Sequence, residues 1–192
     1  MISGLGYKVP HIEKLSNATI SIQNMHTNQE IYGITKEIPS GNVANANITL
    51  ENIQSDGNIY GLTENIQIPM SDLTVTMKQI KTPARVYGLA DHIYSHITAP
   101  NVTITDASEM DHIYGLCYKL EAESETLNTT ITMNNVHPKG NYYGLADYIG
   151  GKVYKTNMTL NQIQSDDQVF GLSYQITETG SVDYLRIDAD NV

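Results

Sequence analysis

Apolar positions fall into two patterns that alternate from one end of the chain to the other. The first is a block of an apolar residue, an aromatic, a glycine and a leucine or isoleucine. It reads Ile31-Tyr32-Gly33-Ile34, Ile59-Tyr60-Gly61-Leu62, Val86-Tyr87-Gly88-Leu89, Ile113-Tyr114-Gly115-Leu116, Tyr142-Tyr143-Gly144-Leu145 and Val169-Phe170-Gly171-Leu172, preceded by a degenerate Ile2-Ser3-Gly4-Leu5. The second is a short apolar-Thr-apolar stretch: Ile48-Thr49-Leu50, Val75-Thr76-Met77, Val102-Thr103-Ile104, Ile131-Thr132-Met133 and Met158-Thr159-Leu160, opened by Ile20-Ser21-Ile22 and closed by Leu185-Arg186-Ile187. Strict alternation predicts a strand with Thr outward and its neighbours inward. A further apolar residue three positions on, such as Met25, Ile53 or Ile163, predicts a turn that still faces the core.

The glycines recur every 27 to 29 residues, a period that marks a solenoid or array. The expected fold is all-β: a single-stranded parallel β-helix (β-solenoid) of seven coils of 27–29 residues. Its repeats fall at about 2–30, 31–58, 59–85, 86–112, 113–141, 142–168 and 169–192, as one domain that forms a fragment of a longer protein. Flanking repeats or end-to-end association would then continue the stack. The alternative is a strand-plus-helix solenoid of leucine-rich-repeat type, since Ile59, Leu62 and Ile66 share one helix face. Glycine inside that helix costs about 1 kcal/mol in every copy, and the Leu-x-x-Leu-x-Leu signature is missing, so the β reading is preferred.

Stacking coils about 4.8 Å apart places like on like. Tyr32, Tyr60, Tyr87, Tyr114, Tyr143 and Phe170 become an aromatic ladder, and Leu62, Leu89, Leu116, Leu145 and Leu172 an aliphatic one. Whether the tyrosines face core or solvent is left open by the pattern. From each Thr strand to the next glycine block the spacing is eleven residues, whereas from a glycine block to its own Thr strand it varies from 16 to 18. Length variation confined to one corner marks that corner as the place for recognition.

Charge then removes several function classes. The net charge is −10 and Arg85 and Arg186 are the only arginines, so no cationic stripe is available for nucleic acid. No apolar run is long enough for a membrane-spanning helix. Cys117 is the single cysteine; it excludes an internal disulfide and a cysteine-based metal site, and reads as a small buried residue. The six histidines (His11, His26, His92, His96, His112 and His137) show no metal-ligand spacing. No cofactor or metal site is expected.

Asn-x-Thr occurs at Asn17, Asn47, Asn101, Asn128 and Asn157. Each is a formal glycosylation acceptor, though Asn at corners and Thr in strands is the simpler structural reading. The Thr column also suggests an ice-binding face, but Glu51, Lys78 and Asp106 beside it carry charge. Enzymes on β-helices gather carboxylates. Asp91 and Asp147 align two coils apart with Tyr118 between them, roughly 9–10 Å apart by coil spacing, at the upper end for an inverting pair. Asp111 and His112 fall at a different corner, and no basic residue shares the Asp column. Solvated turn charge is the simpler reading.

The positions five and six residues into each glycine block vary on a constant frame: Tyr7/Lys8, Lys36/Glu37, Glu64/Asn65, Asp91/His92, Tyr118/Lys119, Asp147/Tyr148 and Tyr174/Gln175. Tyrosine beside polar groups suits sugar or protein contact, so Tyr118, Lys119, Asp91, His92, Asp147, Tyr148 and Tyr174 form the expected binding surface.

The run of apolar-Tyr-Gly-Leu/Ile, spacer and Asn-x-Thr-apolar-Thr resembles the pectin-lyase-like right-handed β-helices of bacterial secreted surface proteins, in particular the passenger regions of autotransporter-type adhesins. The resemblance implies a secreted or cell-surface chain, most simply on the bacterial outer surface. Its implied role is a non-enzymatic adhesin or spacer that meets a protein or carbohydrate partner and does not insert into the membrane. The alternative from another class is a carbohydrate-active β-helix enzyme, a glycoside hydrolase or polysaccharide lyase.

Overall fold

The computed structural model describes residues 1–8, 12–38 and 40–192; His11 lies outside them, as do the side chains of Tyr7 and Lys8. Every regular element among the described residues is a strand. The helical alternative is therefore overturned: the glycine block is a two-residue strand, such as Ile59–Tyr60, followed by a sharp bend. No described helix is long and apolar enough to cross a membrane.

The chain winds as a parallel β-solenoid with a strand of each sheet in every coil. The first sheet stacks the seven apolar-aromatic pairs, with Ile31 beside Ile59 and Tyr32 beside Tyr60. The second stacks seven short strands such as Ala90–Ile93 and Cys117–Leu120. The third holds the Thr strands, paired in continuous register: Thr49 beside Thr76, Thr76 beside Thr103, Thr103 beside Thr132 and Thr132 beside Thr159.

At the bend between the first two sheets, hydrogen bonding to the next coil does not lapse. The Gly33 N–H donates to the Tyr60 carbonyl at 3.0 Å, Gly61 to Tyr87 at 3.0 Å, Gly88 to Tyr114 at 2.9 Å and Gly115 to Tyr143 at 2.9 Å. The next residue repeats the pattern, with Leu62 donating to the Leu89 carbonyl at 2.9 Å and Leu89 to Leu116 at 2.7 Å. Keeping both bonds through a bend brings successive backbones so close that a Cβ on Gly88 would run into the Gly115 carbonyl oxygen. Glycine is required there by close approach, not by its φ.

Two further corners flank each Thr strand, where a turn and corner asparagines are expected, and both take a left-handed backbone. In each coil a pair of residues with left-handed backbone stands seven positions apart: Asn17 and Asn24, Asn45 and Asn52, Asp72 and Gln79, Ala99 and Asp106, Asn128 and Asn135, Lys155 and Gln162, Tyr184 and Asn191. Asn and Asp tolerate this conformation best among residues with a Cβ, which explains the asparagine load. Their amides also bridge coils: Asn52 Nδ2 donates to Asn24 Oδ1 at 2.7 Å and Asn135 Nδ2 to Asp106 Oδ1 at 2.6 Å. Between the two corners lies a flat strand whose inward residues, such as Val75, Met77, Ile131 and Met133, are buried.

The last Thr strand needs a correction. Met158, Thr159 and Leu160 pair with Ile187, Asp188 and Ala189 rather than with Leu185, Arg186 and Ile187. The variable corner of that coil carries a turn at 177–180, closed by the Gly180 N–H on the Thr177 carbonyl at 3.0 Å. The fifth coil has the same turn, with the Ser124 N–H on the Glu121 carbonyl at 3.0 Å. Asp188, not Arg186, thus ends the Thr column.

The solenoid has two cores. The Ile, Leu, Val and Met ladders fill the interior, with Cys117 wholly buried among them. The aromatic ladder lies on the other side of the first sheet and forms a separate buried cluster with Tyr118 and Phe170. Its rings stack face to face, with centroids 4.7 Å apart for Tyr32–Tyr60 and Tyr60–Tyr87, 5.1 Å for Tyr87–Tyr114 and 4.9 Å for Tyr114–Tyr143. So the tyrosines face outward yet stay no more than 5% exposed.

Inside, the Thr126, Thr129 and Thr156 hydroxyls are buried and have no hydrogen-bond partner. Replacing Thr129 and Thr156 by Val is expected to stabilise the fold by about 1 kcal/mol each, because a buried unsatisfied hydroxyl carries its desolvation cost. Gly88→Ala is expected to destabilise by at least about 3 kcal/mol through the backbone collision. Gly171→Ala, whose Cβ meets only Ile187 Cδ1 at 4.0 Å, is expected to be near neutral. Urea unfolding of the four variants against the parent chain checks all three expectations.

Candidate functional site

The expected binding residues fall on two adjacent columns of the second sheet. Backbone pairing sets His92 beside Asn65 and Lys119, and Lys119 beside Tyr148, which pairs with nothing out of step before Gln175. Tyr118 is therefore flanked by Asp91 on one coil and Asp147 on the other. In these short strands the first and last residues point inward, as Ala90 and Ile93 do. Of the two between them, Asp91, His92, Tyr118, Lys119 and Tyr148 stay partly exposed, whereas Asp147, expected at the surface, is buried. Both variable positions therefore reach the surface together in the Ala90–Ile93 and Cys117–Leu120 strands, and only Tyr148 does in the Ala146–Ile149 strand.

The aromatic members form a continuous chain along the solenoid axis. His92 meets Tyr118 edge-on at 5.7 Å, Tyr118 meets Tyr148 at 5.6 Å, and Tyr148 meets Tyr174 at 6.2 Å. Tyr118 also rests edge-on against Tyr114 at 5.8 Å, and Tyr174 against Phe170 at 5.5 Å. The buried ladder thus holds the outer rings in place; such contacts contribute about 0.5–1.5 kcal/mol each beyond area burial. Tyr174 is 60% exposed.

At the rim, Glu121 joins two of the expected residues. Its carboxylate lies 2.8 Å from His92 Nδ1 and 2.9 Å from Lys119 Nζ. Burial alone would raise the Glu121 carboxyl, but the hydrogen bonds from Lys119 and His92 outweigh it and hold the group below its usual value. Glu121 sits in the variable corner and was missed in the sequence, because the contact depends on the turn geometry of an inserted loop.

Asp91 and Asp147 behave differently. Burial raises both carboxyls; His92 and Arg85 oppose the shift at Asp91, and His112, a Tyr143 hydrogen bond and Arg85 oppose it at Asp147. Oδ1 of Asp147 has no partner. His112 stands at a different corner, just before the Ile113–Tyr114 strand; its ring packs edge-on against Tyr114 and Tyr143 at 6.4 and 6.3 Å, and its charge reaches Asp147. Arg85 shares no column with the carboxylates, yet its charge reaches both. The Tyr87 hydroxyl is pushed up to about 12 by burial and the Asp91 charge, against the pull of Arg85.

No group of three or more His, Cys, Asp or Glu suited to a metal ion occurs among the described residues. A cavity of about 200 Å³ beside Glu37 and Asn65 is smaller than ligand pockets usually are. The site is an open, ridged face.

Because the folded Asp147 carboxyl titrates above its unfolded value, the folded state carries the cost of a buried charge at neutral pH. That cost disappears as pH falls through the folded value towards the ordinary carboxylate range. Asp147→Asn is expected to raise the urea midpoint at pH 7, with the gain vanishing by about pH 4. A lower midpoint at pH 7 would show that the ionised carboxylate is needed by its Tyr143 partner. No protein-family model, curated protein or solved structure matches the chain.

Proposed function

We propose that the chain is a non-enzymatic β-solenoid segment of a secreted or surface-exposed repeat protein. In this reading it acts as an adhesin or spacer that meets a protein or carbohydrate partner on a cell surface. The observation that supports it is the edge-to-face chain His92–Tyr118–Tyr148–Tyr174, propped from beneath by the stacked ladder. Rigid, half-exposed tyrosines beside paired charges offer large contact area at small entropic cost. The resemblance to autotransporter-type passenger regions agrees with this role and with a place on the bacterial outer surface.

A second reading, a carbohydrate-active enzyme, draws on one observation: Asp91 and Asp147 are both raised by burial and both feel Arg85. A raised carboxyl suits a general acid. Against it, the column spacing leaves the two carboxylates roughly 9–10 Å apart, and Tyr118 fills the space between them.

Adhesion of the labelled chain to cultured epithelial cells, with far-ultraviolet circular dichroism as the folding control, separates the two. Tyr118→Ala with Tyr148→Ala is expected to weaken adhesion about tenfold or more, the scale of a central aromatic hot spot. Asp91→Asn with Asp147→Asn is expected to leave it unchanged. Release of reducing ends from polygalacturonate or xylan by the parent chain, lost in the double Asp variant, would replace the binding reading with the enzymatic one.

A further inference from the structure

A second aromatic feature stands on a different face. Tyr184 occupies the left-handed corner column that Asn45, Asn128 and Lys155 hold in other coils. Those residues are exposed too, and Tyr184, in the last coil, is 73% exposed. A bulky aromatic at positive φ is uncommon; Asn, Asp, Ala and Lys fill the other copies. The Tyr154 ring meets Tyr184 at 78° and 5.1 Å, which fixes its orientation and leaves most of it in solvent. Lys155 Nζ lies 5.3 Å from the Tyr154 centroid.

Beside the ring is a shallow cleft of about 430 Å³ lined by Asn128, Thr130, Lys155, Asn157 and Tyr184, within the range of small-ligand sites. Every lining side chain carries a hydrogen-bonding group. None is aliphatic and none is acidic, although the chain as a whole has a net charge of −10. A lipid or an apolar peptide segment would find no apolar wall here. A single cation is too little for a nucleic acid backbone. What fits is a ligand with one apolar face, a rim of hydroxyls and tolerance for a nearby positive charge.

We propose that this cleft is a glycan subsite: a pyranose ring lays its C–H face on Tyr184, Asn128, Thr130 and Asn157 exchange hydrogen bonds with its hydroxyls, and Lys155 favours a sugar bearing a carboxylate. The site is independent of the His92–Tyr174 aromatic chain. Asn128 and Asn157 contribute amides that both donate and accept, as a hydroxyl rim requires.

Saturation-transfer difference NMR with trigalacturonate and with maltotriose tests it on the whole chain. Transfer to both sugars is expected, with tighter binding of trigalacturonate. Tyr184→Ala is expected to weaken binding about tenfold, the scale of one aromatic contact, and Tyr184→Phe to preserve it. The Ala variant keeps the fold, since Ala99 already takes the same corner at φ 52°. No transfer to either sugar overturns the proposal, as does undiminished binding by Tyr184→Ala. Binding that survives Tyr184→Ala but is lost in Tyr118→Ala assigns the sugar to the aromatic chain and removes this site. Equal affinity for the two sugars overturns the part given to Lys155.

Discussion

The solenoid depends on a close backbone approach made possible by one glycine per coil. Bending a chain usually interrupts its hydrogen-bond ladder, and buried unpaired amides are costly. Here each bend keeps its bonds to the next coil, Gly61 to Tyr87 and then Leu62 to Leu89, because no Cβ stands between successive glycine carbonyls. The first two sheets can therefore meet at a sharp angle without losing register. Everything that stacks, from the interior Leu ladder to the outer tyrosines, inherits that register.

Register turns a repeated residue into a continuous surface. One Tyr per coil yields a face-to-face stack, buried although it points away from the interior. That stack supports a second, looser tier of Tyr118 and Tyr174 through edge-on contacts. Variation is concentrated where the frame permits it. The two middle residues of each second-sheet strand point outward, and the adjoining corner accepts extra residues in the fifth and seventh coils as a compact turn. Glu121, supplied by one such turn, ties His92 to Lys119 and couples the variable loop to the aromatic face.

Much of this was legible in the chain itself, because a strict repeat converts sequence spacing into spatial stacking. The coil count, the two ladders and the alignment of Asp91, Tyr118 and Asp147 all follow from the period. The corners were legible as well, from Asn17 and Asn128 and from the turn at Met25, but their left-handed backbone was not, since Asn serves in several kinds of turn. The Leu185 alignment failed because apolar-Arg-apolar imitates the Thr strand two residues too early, while the turn at 177–180 absorbs the difference. The facing of the tyrosines was not legible, since alternation alone does not distinguish a buried outer cluster from an inner one. Long reach also escapes spacing: Arg85 and His112 influence Asp147 from outside its column.

Amide hydrogen exchange at Gly61, Gly88 and Gly115, followed by NMR on the unmodified chain, tests the glycine-centred stacking most directly. If each N–H is locked to the Tyr carbonyl of the next coil, the three amides exchange only on global unfolding, as slowly as those of the central Thr strands. Exchange at the rate of a solvent-exposed loop amide would contradict the continuous bend and the stacking that rests on it.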